Sequence, residues 1–290
     1  MNTSLKHLSP VQRRQLDAAI KVIVHTIRPE KIILFGVYSV EGDAALFTQM
    51  LPSALTPFDL LIVTGRSELR SDYQIQDQCE NSCRDVAQVT TVVHDIAYVN
   101  RQIGARQYFF SMLLMEGILL YDAGTIPFEK PALPNFEEVR LTAEKDFERW
   151  AGQANAFFYS ATFNMQRNEW KTAMFLFHQA AEQIYQAILL VFNGYKPTTH
   201  NLDKLRRYTN RFSIELASLF RRDNEQEEHL FQLLASGYVQ ARYKEDYIIS
   251  EEEVTKIAAR IGQLLDIAGR VCRNHFLSLE KKAILLPGRQ

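Results

Sequence analysis

Arg242, Tyr243 and Lys244 stand in a row in a chain whose net charge is only −1. A guanidinium, an aromatic face and an ammonium side by side can hold a phosphate and stack a base. The arginine can equally be tied up by Glu245, Asp246 or a neighbouring helix, and the sequence leaves both uses open. With so little net charge, no global basic field draws the chain to nucleic acid, and any such site has to be a local patch. His178 and Glu182 are four apart and share a face on a helix, as a polar ligand-binding stripe or as a satisfied hydrogen bond. His200 falls at an expected helix start, where it caps the helix or contacts a partner. Lys204, Arg206 and Arg207 follow it and read as a solvated helix face. Cys79 and Cys83 are also four apart, but no further Cys or His follows at ligand spacing, so they read as small buried residues rather than half a metal site. Three cysteines, an odd count, argue against a disulfide framework and for a reducing, cytoplasmic setting.

The elements that must position these residues fall into two halves. Ser9-Pro10-Val11-Gln12 opens a helix with a capping box, and Leu16, Ile20, Ile23 and Ile27 follow at helical spacing until Pro29. Lys31–Gly36, Phe58–Val63, Val89–Tyr98 and Ile118–Tyr121 read as strands. Ser71–Ala87 and Ala105–Glu116 read as helices, the second stopped by Gly117. The segment from Gly124 to Pro134 holds three of the nine prolines and reads as a linker. Beyond it only helical periodicity remains. One stripe runs through Phe147, Trp150, Ala154, Phe157, Phe158 and Ala161. A second runs from Trp170 to Ile188 and ends at Gly194 and Pro197. Ser250-Glu251-Glu252-Glu253 is another capping box, flanked by Ile249 and Val254 as a hydrophobic staple. The expected fold class is therefore α+β followed by an all-α helix bundle, with residues 1–125 and 135–290 as domains joined by a linker at 126–134. No apolar run reaches membrane-span length, so no membrane partner is expected.

The order helix, strand to glycine, strand with Asp59, helix, strand with Asp95 resembles the minimal nucleotidyltransferases of the polymerase-β type over about the first 125 residues. That resemblance implies a glycine approached by the triphosphate, a neighbouring serine, an Asp-x-Asp pair and a third carboxylate, which together hold two Mg²⁺ ions. Gly36 fits the glycine, Asp59 the second aspartate and Asp95 the third carboxylate, with His94 beside it. Val37 stands where serine is expected and Pro57 where the first aspartate is expected, and the stretch between Gly36 and Asp59 is longer than the pattern. A site short of carboxylates holds two hydrated cations poorly. The resemblance thus implies a degenerate domain in which Mg²⁺ serves only if activity survives.

The helical half resembles the HEPN family. The carrying segments are Phe177–Gln183 (FHQAAEQ), Gly194–Leu202 (GYKPTTHNL) and Tyr238–Tyr247 (YVQARYKEDY). The ribonucleases of that family carry an Arg-x(4–6)-His motif. Its arginine stabilises phosphate and its histidine moves a proton, for which an imidazole is suited. Arg242 has no histidine at that spacing. Tyr247 stands at the shortest, and a phenol with a reference pKa of about 10 is a weak base. The resemblance implies a nucleotide- or RNA-binding protein that does not cut RNA through this motif, paired as a homo-oligomer. Its implied setting is nucleotide sensing, a toxin–antitoxin system or defence. An active nucleotidyltransferase and a dimeric assembly module are the alternatives.

Overall fold

A computed structural model describes residues 3–6, 8–37, 57–221, 224–244 and 247–286, and for Arg242 the backbone alone. The chain divides into two compact units, Met1–Pro134 and Asn135–Gln290.

In the first unit, α1 (Pro10–Ile27) starts at the capping box of Ser9 and Gln12 and buries Leu16, Ala19, Ile23 and Ile27. It packs on a four-stranded sheet of order β3–β2–β1–β4. The strands are β1 (Lys31–Val37), β2 (Pro57–Thr64), β3 (Gln88–Asp95) and β4 (Ile118–Asp122). β2 pairs parallel with β3 and antiparallel with β1, which pairs antiparallel with β4. Phe58 and the residues from Leu60 to Val63 are fully buried, because a strand between two others and covered on both faces has no polar side. The run after β3 turns out otherwise than its β-branched composition suggests. The strand stops at Asp95, and α3 (Ile96–Gly104) follows directly, while α4 covers Tyr108–Glu116 rather than starting at Ala105. Helix α2 (Asp72–Ser82) places Cys79 in the core, and Cys83 lies just beyond it. Burial pushes the Cys79 thiol up to about 12 and that of Cys83 to about 11, so neither is a ready thiolate.

The second unit is helical among the described residues: α5 (Phe136–Gln166), α6 (Trp170–Asn193), α7 (Leu202–Asn210), α8 (Ile214–Leu219), α9 (Glu225–Tyr243) and α10 (Glu251–Leu285). α6 is the central helix, packed against α5, α7, α9 and α10. Phe177, Ile184, Tyr185 and Ile188 are almost wholly buried on it. Each such apolar side chain contributes roughly 1.5–3 kcal/mol relative to exposure. Gly194 ends α6 with a left-handed backbone (φ 60°), which glycine adopts without strain. The capping box of Ser250 and Glu253 opens α10, with Ile249 and Val254 buried around it. α6 and α9 run antiparallel: Met174 faces Gly237, and the Lys171 ammonium donates to the Lys244 carbonyl (3.1 Å). A β-carbon on Gly237 would sit 3.1 Å from the Met174 carbonyl oxygen, so the two backbones approach closely only because that atom is absent.

Candidate functional site

In the sheet unit the carboxylates do not converge. The parallel register of β2 and β3 puts Thr90 beside Asp59 and Thr64 beside Asp95. Asp95 therefore lies five residues further along, on the order of 16 Å at strand rise. Its carboxylate accepts from the backbone N–H groups of Ala97 (2.8 Å) and Tyr98 (2.9 Å), so it is the N-cap of α3 rather than a third metal ligand. Asp59 is 2% exposed and lies against Gly36, at a bulge between Leu34 and Gly36. A β-carbon on Gly36 would stand 2.4 Å from Asp59 Oδ2, so the glycine makes room for the aspartate side chain. Val37 pairs with Phe58, and Pro57 begins β2. Most of the long connection between Gly36 and Asp59 lies outside the described residues. His94 Nδ1 is 2.9 Å from Asp72 Oδ2, and its ring stacks on Tyr98. Among the described residues no group of three or more His, Cys, Asp or Glu side chains is arranged to hold a metal ion.

The helical unit does gather polar side chains. On α6, His178 Nδ1 is 3.0 Å from the Leu234 carbonyl of α9, so this nitrogen carries the proton and donates. Its Nε2 faces Glu182 Oε2 at 3.7 Å, too far for a hydrogen bond, and neither buried atom has another hydrogen-bond partner among the described residues. The other oxygen of Glu182 faces His200 Nδ1 at 2.9 Å and accepts from Gln186 Nε2 at 3.3 Å. Burial opposes ionisation of Glu182, but the imidazoles of His178 and His200 outweigh it and hold the carboxyl below the ordinary range. His200 itself stands out from the surface with 72% of its side chain exposed. Sequence spacing places His178 with Glu182; it does not show that His200 closes on the same carboxylate from the loop before α7.

A second cluster lies further along the α6–α9 seam. Tyr238, 36% exposed, stacks on Phe175 (6.1 Å between centroids) and lies 5.5 Å from the His178 ring. Position 242 is one turn beyond it on α9. The Arg242 side chain, with Glu245 and Asp246, lies outside the described residues. Tyr243 is 73% exposed, and Lys244 is exposed where α9 ends. Cations at that end also complement the carbonyl end of the helix.

Two expectations fail here. Tyr247 does not belong to an accessible site: it is 4% exposed, its hydroxyl donates to the Leu233 carbonyl (2.8 Å), and burial raises its pKa further from neutrality. Lys204, Arg206 and Arg207 are not a solvated face either. Lys204 is buried, Arg206 donates to Asp203 (2.9 Å) and lies over the Phe231 ring, and Arg207 approaches the same aspartate at 3.6 Å.

Residues 147–271 match the family model described as HEPN domain, so the helical unit carries a HEPN domain spanning both clusters. No curated protein matches the chain. No helix among the described residues is long and apolar enough to cross a membrane.

Proposed function

We propose that the chain is a nucleotide- or RNA-binding protein whose ligand lies along the α6–α9 seam of its HEPN domain, anchored by Arg242 with Tyr243 and Lys244. The observation that carries this reading is the run of basic and aromatic residues along the exposed end of α9. Exposed Tyr243 and Lys244 adjoin Arg242, one turn from the part-exposed ring of Tyr238. Aromatic faces beside cations bind single strands through stacking and phosphate contacts. The sheet unit, nucleotidyltransferase-like in its order of elements, acts as a non-catalytic partner domain in this reading, because Asp59 and Asp95 point to separate tasks.

Titration calorimetry with mononucleotides and short RNAs tests the assignment. Arg242→Ala loses about 1.5–3 kcal/mol of binding, more than Lys244→Ala, because a guanidinium grips phosphate with two donors. Binding unchanged in Arg242→Ala refutes it. Tyr159 and Phe163 on α5 are 68% and 60% exposed, and apolar surface of that kind supports self-association of the helical unit. Light scattering at micromolar concentration yields a dimer mass, and a monomer mass contradicts this.

A further inference from the structure

We propose that a cleft between α5 and α10 binds a short zwitterionic peptide, about three residues long with an apolar middle. The cleft shares no residue with the α6–α9 seam, and the proposal does not depend on the nucleotide- or RNA-binding reading.

The two helices run antiparallel. Lys282 lies over the Phe136 ring, Phe276 meets the Phe147 ring edge to face, and Gly262 faces the Phe158 ring. Near the start of α5 and the end of α10, a cleft of about 260 Å³ opens between them. Arg140 and Glu144 form its α5 side, and Arg273, Phe276, Leu277 and Glu280 form its α10 side. Its volume falls just under the range of drug-sized pockets, so it admits only a small ligand.

The two arginines differ. Arg140 donates to both oxygens of Glu137 (3.1 and 2.6 Å) and to Glu144 Oε1 (2.6 Å), so its charge is answered within α5. Arg273 is exposed and has no hydrogen bond or ion pair among the described residues. Its guanidinium lies back along the helix, where a β-carbon on Gly269 would stand 3.5 Å from it. Glu280 is also exposed and likewise has no such partner among the described residues. Positions 273, 276, 277 and 280 recur at the three- and four-residue spacing of one helix face. At helical rise, Arg273 and Glu280 stand about 10.5 Å apart along the axis, with Phe276 and Leu277 between them.

This pattern rejects most classes of ligand. A phosphate chain is drawn to Arg273 but repelled by Glu144 and Glu280. A polyamine is drawn to the carboxylates but repelled by Arg273. A single amino acid brings both charges but too close together. An extended chain spans about 3.3–3.6 Å per residue, so three residues set the terminal ammonium and carboxylate about 10 Å apart. The carboxylate then meets the Arg273 guanidinium, which offers paired donors, and the ammonium meets Glu280. An apolar central side chain rests on Phe276 and Leu277.

The test is an NMR titration of full-length protein into Gly-Leu-Gly, followed at the leucine methyl resonances. Saturable binding with a Kd on the order of 1 mM is expected for so small a cleft. The same peptide acetylated at its amino end, or amidated at its carboxyl end, is expected to bind about fivefold more weakly. Arg273→Ala is expected to bind free and amidated peptide alike while still discriminating against the acetylated one. Glu280→Gln is expected to show the converse. Both side chains are exposed, and circular dichroism melts confirm that the variants fold. The capped peptides test the wild type without any substitution. Absence of saturable binding by the wild type, caps without effect, or any other pattern of preferences in the folded variants overturns the site. None of these outcomes bears on the seam, since no seam residue is altered.

Discussion

Asp59 and Glu182 are buried to the same degree, 2% and 3% exposed, yet they sit in opposite surroundings. Asp59 lies on a central strand against a glycine, with the nearest expected partner carboxylate several residues away along the sheet. Glu182 lies on a central helix between two imidazoles, one of which reaches solvent. Burial alone therefore does not mark a site. What marks Glu182 is that two imidazoles share its carboxylate and that one of them faces outward.

The comparison is broken most sharply by removing Glu182. Glu182→Ala strips the charge that His178 and His200 share and is expected to cost about 3 kcal/mol in urea denaturation, the lower end for a buried pair because His200 is exposed. A cost under about 0.5 kcal/mol would mean that the cluster does not bear on stability. Gly36→Ala is the matching change in the sheet unit. It drives a methyl into the Asp59 carboxylate and is expected to cost about 1–2 kcal/mol. Asp59→Ala in the same chain should relieve part of that loss, and strict additivity of the two changes would disprove the contact. Tyr247→Phe removes one hydroxyl from the Leu233 carbonyl and is expected to cost about 1 kcal/mol, with RNA affinity unaltered. Altered affinity would return Tyr247 to the ligand site.

Acid offers a milder probe. The Glu182 carboxyl is held below its ordinary value in the folded chain, so its contribution is fully present above the unfolded pKa and is lost as pH falls through the folded one. The gap in melting temperature between wild type and Glu182→Gln should thus hold from pH 7 down to about 5 and narrow only as pH falls below the unfolded carboxyl value of about 4.3. A gap independent of pH contradicts the assignment. The smallest effect is expected from the sheet unit as an enzyme: labelled ATP with Mg²⁺ and candidate acceptors transfers no label. Transfer abolished by Asp59→Ala would reverse this view of the domain.

Local chemistry was readable from the sequence, and long-range contacts were not. The capping boxes at Ser9–Gln12 and Ser250–Glu253 form as their residues dictate, because donor and acceptor lie three residues apart. The stripe from Trp170 to Ile188 likewise marks the buried face of α6. At Asp95 two local signals competed. Ile96, Tyr98 and Val99 extend the β-branched and aromatic pattern, but the aspartate caps the next two N–H groups and turns the chain into a helix. The cue was Asp95 itself, a preferred N-cap residue. Tyr247 sits at a motif spacing, but its hydroxyl bonds the Leu233 carbonyl, fourteen residues earlier on α9. Lys204 and Arg206 read as solvated from composition, although Asp203 and the Phe231 ring draw Arg206 inward. The meeting of His200 with Glu182 spans eighteen residues and a helix-breaking glycine, and no local pattern announces it.

Gly237 sets a condition on how such a seam changes over generations. Its missing β-carbon lets α9 rest against the main chain of Met174. Because the obstacle is a carbonyl, no trimming of the side chain at 174 makes room for a larger residue at 237. A lineage that loses this glycine has to move a whole helix by a few tenths of an ångström, and Tyr238 and Leu234 travel with it, away from His178. Position 237 can thus serve as a genotype marker. Glycine at 237 keeps the spacing that joins the aromatic ring to the histidine.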